Sequence, residues 1–182
     1  MAIIALSGKR GVGKTTSALY LKNHYGFHIR SFADPIRRIS KEIFDFDESD
    51  FGVSNKEKPF KHYDFTPRDF MVSLGQFLRY HDKHYLTNEL VKTLESSQQN
   101  YVIDDLRLLE ELEILKKFTG ITFIRIERFK TLNPYKESFD KTETELDTYP
   151  FTIRIEEPAN TTLAELRRSL DYIMTDLGHK KK

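Results

Sequence analysis

The chain has no cysteine, which excludes a disulfide framework, thiolate-bound zinc and a cysteine nucleophile. It also lacks an excess of either charge: 29 Lys and Arg stand against 28 Asp and Glu, a formal net charge of +1. So even a balance gives no broad field for gripping a nucleic-acid backbone, and any bound anion must be held by local groups. Long apolar runs are missing as well. Met1-Ala2-Ile3-Ile4-Ala5-Leu6 meets Gly8-Lys9-Arg10 too soon for a signal segment or a membrane span, and reads as a buried strand. No internal repeat or low-complexity tract divides the 182 residues, a length that suits one domain with a real core. These absences point to a cytoplasmic protein with small-molecule partners, bound neither to nucleic acid nor to membrane.

What is present is an alternation of short apolar strands and helical stretches. Residues 3–6, 27–32, 101–103, 121–126 and 151–155 are rich in β-branched or aromatic side chains, as buried parallel strands are. Helices between them argue an α/β fold, a five-stranded parallel sheet with helices on both faces. Asp34-Pro35 opens a helix, Asp34 as its cap, with Ile36, Ile39, Ile43 and Phe44 on one face. Thr66-Pro67 opens another, with Phe70, Leu74, Phe77 and Leu78 as its apolar stripe, and a further helix spans about 83–97. Residues 45–61 lose periodicity and read as a mobile connection, residues 127–150 as a lid, and the basic end 178–182 as a solvated, disordered tail.

Gly8-Lys9-Arg10-Gly11-Val12-Gly13-Lys14-Thr15 fits G-x-x-x-x-G-K-[ST] between a strand and a helix, and these residues with Thr16 are expected to bind the nucleotide. Glycines let successive amides turn inward toward phosphate oxygens, and the helix start adds a positive dipole end. Lys14 is expected to reach the β- and γ-phosphates and the Thr15 hydroxyl to ligate Mg²⁺. Tyr101-Val102-Ile103-Asp104-Asp105 reads as a strand ending in carboxylates. Asp104 and Asp105 are both candidates for the metal, and one of them for capping the helix near Arg107. Arg37, Arg68, Arg79, Arg107, Arg125 and Arg128 supply forks suited to phosphate. A guanine-specifying Asn-Lys-x-Asp is absent; Asn55-Lys56-Glu57-Lys58 ends on the wrong residue. His81 and His84, at i and i+3, have no evident third ligand for zinc.

The phosphate loop, Ser31-Phe32-Ala33-Asp34-Pro35-Ile36-Arg37, Pro67-Arg68, Leu74-Gly75, Asp105-Leu106-Arg107 and Thr142-Glu143-Thr144-Glu145-Leu146-Asp147 follow one another in order. Together they resemble the phage and viral deoxynucleoside monophosphate kinases over nearly the whole chain. The resemblance implies a three-layer P-loop kinase fold, a single domain over 1–182 with an acceptor-binding region at about 33–98, ATP and Mg²⁺ as cofactors, and a deoxynucleoside monophosphate acceptor. It implies host cytoplasm if the chain is phage- or virus-encoded, and leaves a homodimer open. By position it implies Lys14 and Arg107 as catalytic, and Asp34, Arg37, Arg68, Asp105, Arg107, Glu111 and Glu143 as substrate-binding, with Asp147 completing the lid's acidic pair; the arginine forks add Arg128, at the lid entrance, as catalytic and Arg79, on one helix with Arg68, as substrate-binding. Asp140, Val72, Tyr85 and Thr152 depart from the family pattern and bear on base preference. Phosphomevalonate kinases, which share a similar loop and Asp-x-Arg, are the alternative; a nucleotide binder without transfer chemistry is another.

Overall fold

The computed structural model describes residues 1–52, 55–129, 144–158 and 160–182; most of the expected lid, including Glu143, lies outside them. The chain divides into two compact units, Met1–Ser31 with Leu94–Lys182, and Phe32–Thr93.

The first unit is built on five strands, β1 (Ile3–Ser7), β2 (His28–Arg30), β3 (Tyr101–Leu106), β4 (Ile121–Phe129) and β5 (Ile153–Pro158). All pair in parallel, in the order β2-β3-β1-β4-β5. Central β1 is buried at every residue. Ile4 and Leu6 join a core with Ala18 and Leu21 of α1 (Lys14–Tyr25) and Leu166, Leu170 and Met174 of the last helix, α6 (Leu163–Asp176). Alternation turns Ile3 and Ala5 to the opposite face, where they are equally buried, so both faces of the sheet are covered. α5 (Leu109–Leu115) buries Leu112 and Leu115. The apolar spacing of α6 at i, i+4 and i+8 gives it a single core-facing stripe, and Thr162 starts it by accepting from Glu165 N while the Glu165 carboxylate accepts in return.

Residues 178 and 180–182 are exposed, and the carboxyl-terminal end makes specific contacts with this unit. Lys181 donates to Asp171 at 2.9 Å and to the Tyr20 hydroxyl at 2.6 Å, the Lys182 amide donates to the His24 carbonyl, and the His179 ring meets Phe27 edge-on. The composition is that of a polar end, but the Asp171 carboxylate on α6, Tyr20 on α1 and the Phe27 ring just before β2 receive it.

The second unit contains α2 (Asp34–Phe44), α3 (Pro67–His81) and most of α4 (Tyr85–Glu95). Asp34 is the first residue inside α2 rather than its cap, and its carboxylate lies 3.4 Å from Arg37. The buried face of α2 runs through Ile36 and Ser40, leaving Ile43 59% exposed; the Ser40 hydroxyl donates to the Ile36 carbonyl, so a polar side chain is tolerated inside. Thr66 caps α3 as expected, in a reciprocal box with Asp69. Phe77, expected in the core stripe, is 59% exposed. Rings gather beside α2: Phe46 and Phe60 are buried with centroids 4.1 Å apart, and Phe44 meets Tyr63, Phe65 and Phe70 edge-on. α3 ends at His81, so His81 and His84 share no helical face, and no metal-holding cluster of His, Asp and Glu occurs among the described residues. No helix there is long and apolar enough to cross a membrane.

Candidate active site

The loop from Gly8 to Gly13 joins the end of β1 to the first turn of α1. Gly8 has φ 142°, and a Cβ there would come within 2.3 Å of the Ile126 carbonyl oxygen, so only glycine lets the loop lie this close to β4. Gly13 caps α1 in the left-handed region. Lys14 is 8% exposed and its ammonium donates to the carbonyls of Gly8 and Lys9, the latter at 2.9 Å. The lysine is folded back along its own loop, which fixes the curve that the inward amides require.

Asp104 and Asp105 lie within β3, not beyond its end. Between the pairs Ala5↔Ile103 and Ser7↔Leu106, β1 advances two residues and β3 advances three, so the two carboxylates sit in a bulge. The bulge sends them to different partners. Asp104 Oδ2 accepts from the Thr15 hydroxyl at 3.2 Å, and Asp105 accepts a short hydrogen bond from Ser31. A hydroxyl and a carboxylate together are hard oxygen donors of the kind Mg²⁺ takes, and they stand at the start of the phosphate-loop helix.

Neither aspartate caps α5. That position is served by Glu111, which is buried and whose Oε2 accepts from the amides of Arg107 at 2.9 Å and Leu108 at 3.0 Å. Glu111, implied as substrate-binding, therefore fixes the backbone of Arg107, the neighbouring residue implied as both catalytic and substrate-binding. Arg128 reaches the loop from β4: its Nη2 lies 3.8 Å from where a Cβ on Gly13 would be, and its buried Nε makes no hydrogen bond among the described residues. An arginine nitrogen buried without an acceptor beside a phosphate loop is suited to a phosphoryl oxygen. Arg125, counted among the phosphate forks, is instead 4% exposed and committed to Ser7, Glu127 and Asp147. No local sequence signal separated it from Arg128; strand register and burial do.

The other three candidate forks, Arg37, Arg68 and Arg79, belong to the second unit. Arg68 Nη1 lies 3.4 Å from Glu57, and its amide donates to the Lys56 carbonyl. Gly75 brings α2 and α3 close, since a Cβ on it would stand 3.2 Å from Ile36 Cδ1 and 3.3 Å from Arg79 Nη1. Arg37, beside Asp34, has a buried Nε with no hydrogen bond among the described residues. Arg37 and Arg79 thus flank the close packing of one helix pair.

No family model matches the chain. A protein of Acanthamoeba polyphaga mimivirus that carries the provisional name deoxynucleotide monophosphate kinase is 31% identical, over 70% of this chain and 75% of its own. Among solved structures, dephospho-CoA kinase from Campylobacter jejuni superposes with a TM-score of 0.52 at 13% identity over 96% of each chain. An unliganded sugar kinase from Janibacter sp. HTCC2649 gives a TM-score of 0.48 at 12% identity over 98% of this chain and 95% of its own. The fold is the α/β P-loop kinase fold, with its parallel five-stranded sheet and phosphate loop after the first strand.

Proposed function

This chain belongs to the deoxynucleotide monophosphate kinase family, and we propose on that premise that it moves the γ-phosphoryl group of ATP onto a deoxynucleoside 5′-monophosphate. The observation that carries the reading is the grouping of Lys14, the Thr15–Asp104 pair and the buried Arg128 nitrogen around one phosphate loop.

An oxygen of the acceptor phosphate attacks the γ-phosphorus. The bond from that phosphorus to the β-bridging oxygen breaks, and ADP leaves with the electron pair. The acceptor oxygen is already anionic near neutral pH, so no strong general base is needed. What the protein supplies is alignment and positive charge where negative charge spreads in the transition state. Loop amides and the Lys14 ammonium hold the donor's phosphates, and the Arg128 guanidinium serves the transferred group. Thr15 and Asp104 would hold Mg²⁺, which when bound supplies charge neutralisation at the phosphate oxygens. Arg107, its backbone fixed by Glu111, adds a second cation near the end of β3, with Asp105 beside it. Asp34, Arg37, Arg68 and Arg79 are assigned to the acceptor, the arginines to its phosphate.

The test is ADP release with ATP and Mg²⁺ against dAMP, dGMP, dCMP, dTMP, their ribose counterparts and phosphomevalonate. Turnover dependent on a deoxynucleotide supports the proposal and reports the base preference. Turnover with phosphomevalonate alone reassigns the acceptor, and ATP binding without any acceptor-dependent release makes the chain a nucleotide binder.

A further inference from the structure

Asp147 stands at a junction that the transfer chemistry does not use. Its Oδ1 accepts from Nη2 of buried Arg125 at 2.5 Å, and its Oδ2 lies 3.1 Å from the ammonium of Lys9, the second residue of the phosphate loop. Arg125 in turn donates from Nη1 to the Ser7 hydroxyl at 3.2 Å, where β1 runs into that loop, and from Nε to Glu127 at 3.1 Å. Ser7 and Arg125 are register partners on adjacent strands, so the arginine is rigidly placed. The segment bearing Asp147 is anchored by Leu146, 2% exposed, and by the bond from the Asp147 amide to the Thr144 carbonyl. Lys9 is therefore held twice: its side chain by Asp147, its carbonyl by the Lys14 ammonium.

We propose that Asp147 is a positioning residue for the nucleotide phosphates, tying Lys9 to the Arg125–Ser7 pair so that the loop keeps the curve in which Lys14 and its amides meet phosphate. The proposal rests on the nucleotide-binding reading of the loop. It predicts an effect on ligand affinity from a carboxylate that touches no ligand. Lys9 is half exposed, so the tie is screened and its effect modest.

The experiment measures the Kd of a non-hydrolysable ATP analogue with Mg²⁺ by calorimetry, beside the melting temperature. Glu127 remains with Arg125 when Asp147 is neutralised, so Asp147→Asn is expected to fold with a melting temperature within a few degrees of the parent. Its Kd should rise about two- to fivefold, the range that a partly screened ion pair supports. Lys9→Met should raise Kd similarly, the double variant should add little to either, and Asp147→Glu should recover part of the loss. Unchanged Kd, additive effects of the two substitutions, or tighter binding by Asp147→Asn would each overturn the proposal, the last by making Asp147 a competitor of phosphate for Lys9. Acceptor-dependent ADP release by the parent chain is measured in parallel. Its absence with analogue binding intact defeats the kinase reading alone, whereas a normal parent with an unaffected Asp147→Asn defeats this inference alone. A parent that binds no nucleotide defeats both.

Discussion

At the scale of single residues, the phosphate loop is limited by space as much as by charge. Gly8→Ala would place a methyl group against the Ile126 carbonyl oxygen at a φ that side chains rarely adopt. Backbone must move, so the variant is expected to lose measurable ATP binding and several degrees of melting temperature, read by calorimetry and thermal denaturation. Lys14→Ala removes both the inner cation and the bonds that curl the loop; acceptor-dependent kcat/KM should fall at least about 100-fold, as for loss of a strong electrostatic stabiliser. The two adjacent acids should part company in the same assay. Asp104→Asn, which neutralises the partner of Thr15, should raise the Mg²⁺ concentration for half-maximal turnover about tenfold or more. Asp105→Asn, whose partner is Ser31, should leave that midpoint nearly unchanged. Equal shifts for the two would refute the division of roles made by the bulge.

At the scale of elements, the far end of the phosphate-loop helix is secured by a polar cluster. Asp171 of α6 accepts from the hydroxyls of Tyr20 at 2.8 Å and Tyr25 at 2.6 Å on α1, and from Lys181. Burial, followed by the hydrogen bond to Asp171, pushes the Tyr25 hydroxyl up to about 12. Asp171 itself is held below the usual carboxylate range: burial opposes its charge, but the bonds from Tyr25, Lys181 and Tyr20 outweigh it. A tyrosine whose folded pKa is raised favours the native state while it stays protonated. That contribution is complete below pH 10, where the unfolded tyrosine is neutral too, and is lost as pH rises from 10 toward 12. The melting temperature should fall across that window in the parent and fall less steeply in Tyr25→Phe. Sequence composition presents residues 178–182 as a polar tail; the chain turns back after α6, so that Lys181 meets Asp171 of that helix, ten positions back.

At the scale of the whole molecule, acceptor and donor functions are assigned to different compact units, and substitutions in them should separate. Arg68→Ala lies in the unit Phe32–Thr93. It should raise the acceptor KM about tenfold or more, as loss of a charge-assisted phosphate contact does, while ATP still raises the melting temperature as in the parent. Lys14→Ala should abolish that ATP-dependent rise, since only a ligand that binds the native state stabilises it. A loss of ATP stabilisation in Arg68→Ala would argue against the division.

Some of this was open to reading from local pattern. The loop's glycines, lysine and threonine, the Thr66-Pro67 helix start and the parallel alternation each depend on residues within a few positions of one another, so spacing alone determines them. Other features depend on partners distant in the chain. That Arg125 is committed to Ser7, Glu127 and Asp147 while Arg128 reaches the phosphate loop is decided by what the fold brings beside each. Which aspartate meets Thr15 is decided by an extra residue in β3 relative to β1, and the rings of residues 44–70 become a cluster only when the chain folds back on itself. Local spacing determined which chemical groups the protein possesses; register, bulge and burial decided which of them stand beside the loop and which are committed to holding it in place.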